Sequence, residues 1–347
     1  MKKIFLYIIL ISSLLSVEIN GNGTTVANFL EIDIGSAATA MGGAYVSVAN
    51  DVSSAYWNPA GLSFINKKQA YFMYQPWILD TDSFFAGAAF SFKNKGTLAF
   101  TLNYMGYGDE RVTTLSDPEG ENGEFYSANE FAASISYGRR IDKWFSFGAT
   151  AKYISSNIWH MNANAFAIDF GVLVTTDFFS PTKKRNQGMK IGMSISNYGT
   201  RMRYDGIDIM VPIDPEPDEF GNFDDVQGIY KTSSWELPLI FRLGVSLNPI
   251  YKDNFRMLIA MDALHPNNNN ESVNLGTQLT YIIPGKVSLF LRAGYKGLFL
   301  KDSEYGLTYG GGIKFYLKNS NFFNIDYTFK TLGILGDYHL YTLKFSF

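Results

Sequence analysis

The side chains able to do chemistry in this chain are few and scattered. Lys152, Asp169, Arg242, Asp262, Arg292, Lys314, Asp326, Lys330 and Lys344 each stand among apolar neighbours at alternating positions. On extended backbone, that phase places them all opposite the apolar face. Charges of both signs gathered on one enclosed face have two uses. They can select an anionic or carboxylate ligand, or they can pair with one another and with whatever fills the enclosure. A basic residue facing lipid costs about 2–4 kcal/mol at the bilayer midplane, so inward placement follows under either use. Arg242, Arg292, Lys314, Asp326, Lys330 and Lys344 are the lumen charges to locate.

A second collection lies between residues 205 and 230. Its carboxylates are Asp205, Asp208, Asp214, Glu216, Asp218, Glu219, Asp224 and Asp225, with no basic residue between them. Hard cations favour such oxygen donors, but the spacing is not that of a calcium loop, and Pro212, Pro215 and Pro217 stiffen it. A solvated surface loop accounts for the same charges, and no metal site is assigned. The three histidines, His160, His265 and His339, stand apart, with no His-Glu-x-x-His, Gly-x-Ser-x-Gly or phosphate-loop pattern anywhere. No catalytic residue or cofactor is assigned, and the chain is not expected to be an enzyme. It contains no cysteine, which excludes disulfides, thiolate metal sites and lipoprotein processing.

The densest pattern is not charged at all. Residues 35–62 read GSAATAMGGAYVSVANDVSSAYWNPAGL, with small side chains at nearly every position from Gly35 to Ala44. Such a run has little with which to build its own core, so its use is close backbone approach to something larger. Asp51 and Ser53 can cap a turn. Pro59 holds Asn58 extended, and Gly61 permits a reversal. Gly42, Gly43, Asp51, Trp57, Asn58, Pro59, Ala60 and Gly61 form the candidate motif, with Asn58 expected to bond the wall or a lumen charge.

This stretch resembles the N-terminal signature of the PorV/PorQ family of outer-membrane proteins, within the superfamily of the fatty-acid channel FadL. The likeness is close over residues 35–62; the rest matches in length and strand pattern. Asn50-Asp51 departs from the two acids often found there. The resemblance implies a bacterial outer-membrane barrel linked to type IX protein secretion, handling cargo at the outer membrane, with secretion-system components and secreted cargo as partners. The alternative it implies is a FadL-like passive channel for long-chain fatty acids or other hydrophobic compounds.

The elements that must position these residues are read from the rest of the chain. Lys2-Lys3 and the apolar run from Ile4 to Leu15 predict a signal peptide, assigned to residues 1–19; the run is short of the roughly 20 residues of a membrane helix. Of the 347 residues, 18% are charged and 16% aromatic. A soluble domain carries about 25% charged residues. No later apolar run approaches the roughly 18 residues of a helical span. Low charge, many aromatics and no long apolar run describe a transmembrane β-barrel, whose lipid face takes alternate residues only. A net charge of −3 gives no reason to expect nucleic acid.

Alternation is plain along the chain. Phe323, Ile325, Tyr327 and Phe329 interleave with Asn324, Asp326, Thr328 and Lys330, and Phe131, Ala133, Ile135 and Tyr137 with Ala132, Ser134, Ser136 and Gly138. Such segments are predicted to begin near Gln69, Phe84, Gly96, Asn129, Trp144, Ala163, Met189, Leu237, Phe255, Val273, Val287, Tyr305, Phe322 and Tyr338. The two longest connections, 108–128 and 199–236, fall on the same side, as a barrel with short periplasmic turns requires. The turn at 177–188 is the exception. Tyr341, Leu343, Phe345 and Phe347 share one face of the last segment. The expected architecture is all-β, a transmembrane antiparallel β-barrel of about fourteen strands over residues 69–347. An N-terminal hatch, or plug, with the Asn-Pro-Ala-Gly motif is expected over residues 20–68, in or against the periplasmic mouth. Outer-membrane lipids are the expected surroundings.

Overall fold

A computed structural model describes residues 21, 23–93, 95–215, 218, 226–301 and 303–347. The signal peptide expected at 1–19 lies outside the described residues, as do Glu216, Pro217, Glu219, Asp224 and Asp225 of the acidic loop. The strands are β1 (Gln69–Pro76), β2 (Asp82–Phe92), β3 (Gly96–Arg111), β4 (Phe125–Arg140), β5 (Phe145–Ile158), β6 (Met161–Thr175), β7 (Lys190–Gly199), β8 (Asp205–Gly206), β9 (Met210–Ile213), β10 (Val226–Ile229), β11 (Ile240–Tyr251), β12 (Phe255–Pro266), β13 (Ser272–Ile283), β14 (Val287–Leu298), β15 (Leu307–Tyr316), β16 (Phe322–Thr331) and β17 (Asp337–Ser346). Strands β1–β7 and β11–β17 form the fourteen-stranded barrel. Every neighbour is antiparallel, and β1 closes on β17 with Gln69 opposite Ser346. Closure leaves no open edge, so the backbone is satisfied within a bilayer.

Alternation decides the faces. On β16, Asn324, Asp326, Thr328 and Lys330 are buried inward while Ile325 and Tyr327 are exposed. Tyr341, Leu343, Phe345 and Phe347 are exposed on the outer face, and Phe323 stacks on Phe345 there with centroids 4.7 Å apart. Strand starts lie within four residues of those predicted, and the largest difference has a cause. β4 begins at Phe125 rather than near Asn129 because its hairpin with β3 continues past a bulge, Gly106 pairing Asn129 and Asp109 pairing Ser127. The extra residue, at Tyr107–Gly108, lies on β3; β4 keeps its period, with Tyr126, Ala128 and Glu130 on the inner face, but Ser127 and Asn129 opposite them are polar too, so no contrast marks the strand there.

Connections 112–124 and 200–239 lie at one end; the latter carries the β9–β10 hairpin. The other end has mostly short turns, with 176–189 again the exception. Lys68 and Phe347 meet at the short-turn end, where Phe347 N donates to Lys68 O at 3.0 Å.

The segment before β1 starts at the opposite, long-loop end. Thr25 bridges Glu236, and Val26 N donates to Glu236 O at 3.0 Å. Asn268 Nδ2 holds Thr25 Oγ1 at 2.9 Å and Glu31 Oε2 at 3.0 Å. From there the chain descends the lumen in short helical turns, Asn28–Glu31, Ser36–Ala40, Ser54–Trp57 and Pro59–Phe64. It therefore runs the length of the lumen rather than resting against one mouth, because loop residues capture its polar start. Between residues 33 and 62 only Asn50 is exposed. Ile34, Met41, Val52, Trp57 and Leu62 of this segment share a core with Tyr71, Met73, Phe85, Ala89 and Ala99 of the wall.

Candidate functional site

The filled lumen is held at three levels, each a different use of polar chemistry. Nearest the long loops, Asp33 accepts from Lys296 Nζ through both carboxylate oxygens at 2.8 Å, with Lys330 Nζ at 3.9 Å. Burial pushes the Asp33 carboxyl up, but Lys296 and Lys330 outweigh it and hold the group below the usual carboxylate range. Trp57 Nε1 donates to Ile34 O at 2.8 Å and ties the two halves of the segment together.

At mid-depth the grip is on backbone. Buried Asp262 accepts from Tyr45 N at 2.7 Å and Val46 N at 2.8 Å through one oxygen. Ser36 N donates to Thr342 Oγ1 at 2.9 Å, and the Ser36 carbonyl accepts from Thr328 Oγ1 at 2.6 Å. Thr308 Oγ1 donates to Ala40 O at 3.1 Å and accepts from Gly42 N at 3.0 Å. Wall hydroxyls thus satisfy backbone groups that short helical turns leave over.

Nearest the short turns, Lys344 Nζ donates to Asp51 Oδ2 at 2.6 Å, while Asp51 Oδ1 accepts from Ser53 N at 3.0 Å and Ser53 Oγ at 2.6 Å. Burial raises the Asp51 carboxyl; Lys344 and the Ser53 bonds prevail and hold it low. Asn58 caps the turn that Pro59 opens, its Oδ1 accepting from Ala60 N at 3.1 Å. Its Nδ2 donates to Val46 O within the segment and to Val172 O on β6, both at 3.0 Å. Trp57 packs edge-on to Tyr56 with centroids 5.0 Å apart.

The wall is cut back to admit this segment. A methyl group at Gly148 would overlap the Pro59–Ala60 peptide, and one at Gly171 would overlap Asn58. Gly138 and Gly148 are paired across β4 and β5, and Gly148 and Gly171 across β5 and β6. On the far side Gly276 and Gly294, paired across β13 and β14, lie against Met41 and Gly42. Gly42 and Gly43 both adopt positive φ, 66° and 78°. A Cβ at Gly61 would strike the Ala49 carbonyl. Sequence reading gave close approach to the segment and, on the wall, to the triplet Gly310-Gly311-Gly312, expected to face the run from Gly35 to Ala44; the tracks on β4–β6 and β13–β14 were not read. Of the triplet Gly310, Gly311 and Gly312, the first faces Ala40, the third faces Asp326, and Gly311 points outward.

The charges expected in the lumen divide by role. Lys330 and Lys344 reach the N-terminal segment. Arg292 pairs within the wall, to Asp326 at 2.7 Å and to Gln278 Oε1 at 2.7 Å. Lys152 pairs Asp169 at 2.6 Å. Arg242 donates to Ser196 Oγ at 3.0 Å and lies 5.7 Å from the centre of the Trp57 ring. Lys314 stands 3.8 Å from the centre of the Phe322 ring and borders a pocket of about 800 Å³ at the short-turn end, together with Asp51, Gln69 and Lys344.

Two residues were not singled out from sequence. Lys296 lies four positions beyond Arg292 on the same strand face, so the alternation already placed it inward. Asp33, in an irregular segment, carried no periodic signal. The histidines sit apart, His160 on Asp208 at 2.9 Å and His265 on Glu271 at 3.0 Å. Among the described residues no three His, Asp or Glu side chains are gathered to hold a metal.

At the long-loop end, Phe29, Ile32, Trp77, Leu79 and Met105 line a pocket of about 410 Å³, with Asp33, Lys296 and Lys330 at its floor. A neighbouring pocket of about 420 Å³ lies among Tyr107, Tyr126, Glu130 and Tyr204.

Comparison with solved structures finds several barrels that superpose over nearly the whole chain. The toluene transporter TbuX of Ralstonia pickettii superposes with a TM-score of 0.54 at 9% identity, over 90% of this chain and 98% of that one. The Pseudomonas putida toluene transporter TodX gives 0.54 at 10% identity, over 95% and 99%. A FadL homologue of Pseudomonas aeruginosa gives 0.51 at 11% identity, over 90% and 97%. These likenesses establish the shared fold. No curated protein matches the sequence. The family model described as type IX secretion system protein PorV matches residues 17–214, which include the whole N-terminal segment and its glycine-lined wall on β4–β6. The chain belongs to the PorV family of bacterial outer-membrane β-barrel proteins.

Proposed function

We propose that the protein serves type IX secretion as a sealed barrel, holding exported cargo and secretion components on its long-loop face, which faces the cell exterior. The observation that carries this reading is the seal. Residues 33–62 are buried in the lumen and fastened at three levels, two of them by ion pairs. Partly or fully buried pairs of this kind cost about 3–5 kcal/mol to break by removing one partner, so the lumen resists opening as a passive route. What is left to act is the surface. Residues 20–68 are the hatch in this reading, residues 1–19 a signal peptide removed on export, and Asn58-Pro59-Ala60-Gly61 the hatch anchor. No covalent chemistry is assigned.

The test is deletion within 199–236, followed by assay of cargo on the cell surface. Loss of display with the barrel still folded is expected; normal display would remove the loop from the function.

The apolar pocket beneath Trp77 and Leu79 favours a second reading, a channel for hydrophobic molecules. Because Gly311 points outward, the informative changes are Gly43→Trp and Gly310→Trp. Under the channel reading they abolish uptake of a long-chain fatty acid; under the export reading uptake does not depend on this protein.

A further inference from the structure

The pocket of about 420 Å³ beside β3 and β4 contains a buried acid for which the seal has no use. Glu130 is 8% exposed on the inward face of β4. Its Oε2 accepts from the Tyr107 hydroxyl at 2.5 Å. Ser156 also bonds its carboxyl, but among the described residues no lysine or arginine pairs with it: Lys152, Arg292, Lys296, Lys330 and Lys344 are committed to Asp169, Asp326, Asp33 and Asp51, and Arg242 and Lys314 lie against Ser196 and Phe322. A buried carboxylate without a counter-charge is costly, so such an acid either stays protonated or awaits a cation.

The surroundings favour the cation. Tyr107, Tyr126 and Tyr204 line the pocket from three separate pieces of chain: the bulged end of β3, the start of β4, and the connection after β7. Tyr204 is fixed by Ser156 Oγ at 2.6 Å. The bulge falls at Tyr107–Gly108, where Gly108 takes φ 76°, and such bulges re-aim a side chain. Aromatic rings around one carboxylate attract an organic cation through both their quadrupoles and the charge. Glu110 at the rim adds a second negative group.

We propose that this pocket binds an alkylammonium group, the chemistry shared by a lysine side chain of a polypeptide arriving from outside and by a free aliphatic amine. The proposal does not depend on the export reading, because binding is measured on the isolated full-length protein in detergent. Calorimetry with Nα-acetyl-lysine methylamide is expected to give saturable binding with a Kd of ~1–10 mM. The norleucine counterpart, which has the same stem without the charge, is expected not to bind. Glu130→Gln keeps an acceptor for Tyr107 and preserves the fold, verified by the heat-modified mobility of the barrel, and should weaken binding at least tenfold. Tyr126→Leu should weaken it about threefold. n-Butylammonium separates the sources: weaker binding than the lysine derivative points to a polypeptide, equal binding to a free amine, and both uphold the cation site. Equal binding of the norleucine compound, undiminished binding to Glu130→Gln, displacement by millimolar calcium, or no heat signal up to 50 mM ligand would each overturn it.

Discussion

The lower lumen and the outer mouth are built from the same strands but filled by opposite rules. Below, the wall offers glycine and hydroxyl side chains, and the N-terminal segment comes against it backbone to backbone. Above, the wall offers Trp77, Tyr107, Met105 and Lys296, and pockets of about 410 and 420 Å³ stay open. Small residues on both partners make a seal. Large residues on both, Phe29 and Ile32 of the segment with Trp77 and Met105 of the wall, leave a receptacle. Within the protein interior a missing methyl group is felt, so the same barrel can be tight at one level and receptive at the next.

Filling the glycine track attacks the seal most strongly. Gly148→Trp sets an indole where the Pro59–Ala60 peptide lies, which leaves no room for the segment. The expected result is a folded barrel whose N-terminal segment is cut readily by added protease, while Gly311→Trp, facing lipid, leaves it protected.

Asp33→Ala comes next. It strands Lys296 and Lys330 in a buried site at a cost of about 3–5 kcal/mol. Hydrogen exchange should accelerate across residues 26–45 and stay slow around Asn58. If the whole segment loosens together, the three levels are one cooperative unit rather than separate fastenings.

Asn58→Leu removes a cap and a bond to the wall, for about 1–3 kcal/mol together. Protease sensitivity confined to residues 54–66 is expected; unchanged resistance would show that the motif is not an anchor.

The smallest effect is that of acid. Asp33 and Asp51 are held below their ordinary carboxylate range. A depressed carboxyl stabilises fully above its unfolded value, about 3.9, and loses that contribution as pH falls through the lower folded value. Protection of the segment beside Asp33 and Asp51 should therefore hold from pH 7 to about pH 4.5 and decline only below about pH 3.5. A decline centred near pH 6 would mean these acids do not fasten it.

Much of the barrel could be read from particular residues. The rows Asn324–Lys330 and Ile325–Phe329 needed only the period of two, since lipid on one side and a polar lumen on the other sort them without regard to the partner strand. The inward charges followed for the same reason. The start of β4 was not legible, because Ser127 and Asn129 on the outer face are polar like Tyr126 and Glu130 on the inner one and give no contrast of faces. Glu130 sits just below the β3 bulge, and its alternation with Ala132 and Ser134 gives no sign that it lacks a cation.

The sequence by itself determined the barrel, its strand number, the inward and outward faces, and the family signature over residues 35–62. These rest on local periodicity and local backbone chemistry, which distant contacts do not alter. Only the tertiary structure decided which inward charges meet. Lys344 with Asp51 is separated by 293 positions and Lys296 with Asp33 by 263, and no periodicity links such positions. It likewise decided that the glycines of β4–β6 face Asn58 and Pro59, and that Glu130 lies in a pocket with three tyrosines and no counter-charge. Barrel closure and the path of the threaded segment fix these neighbours, and both are properties of the closed, filled cylinder rather than of any one strand.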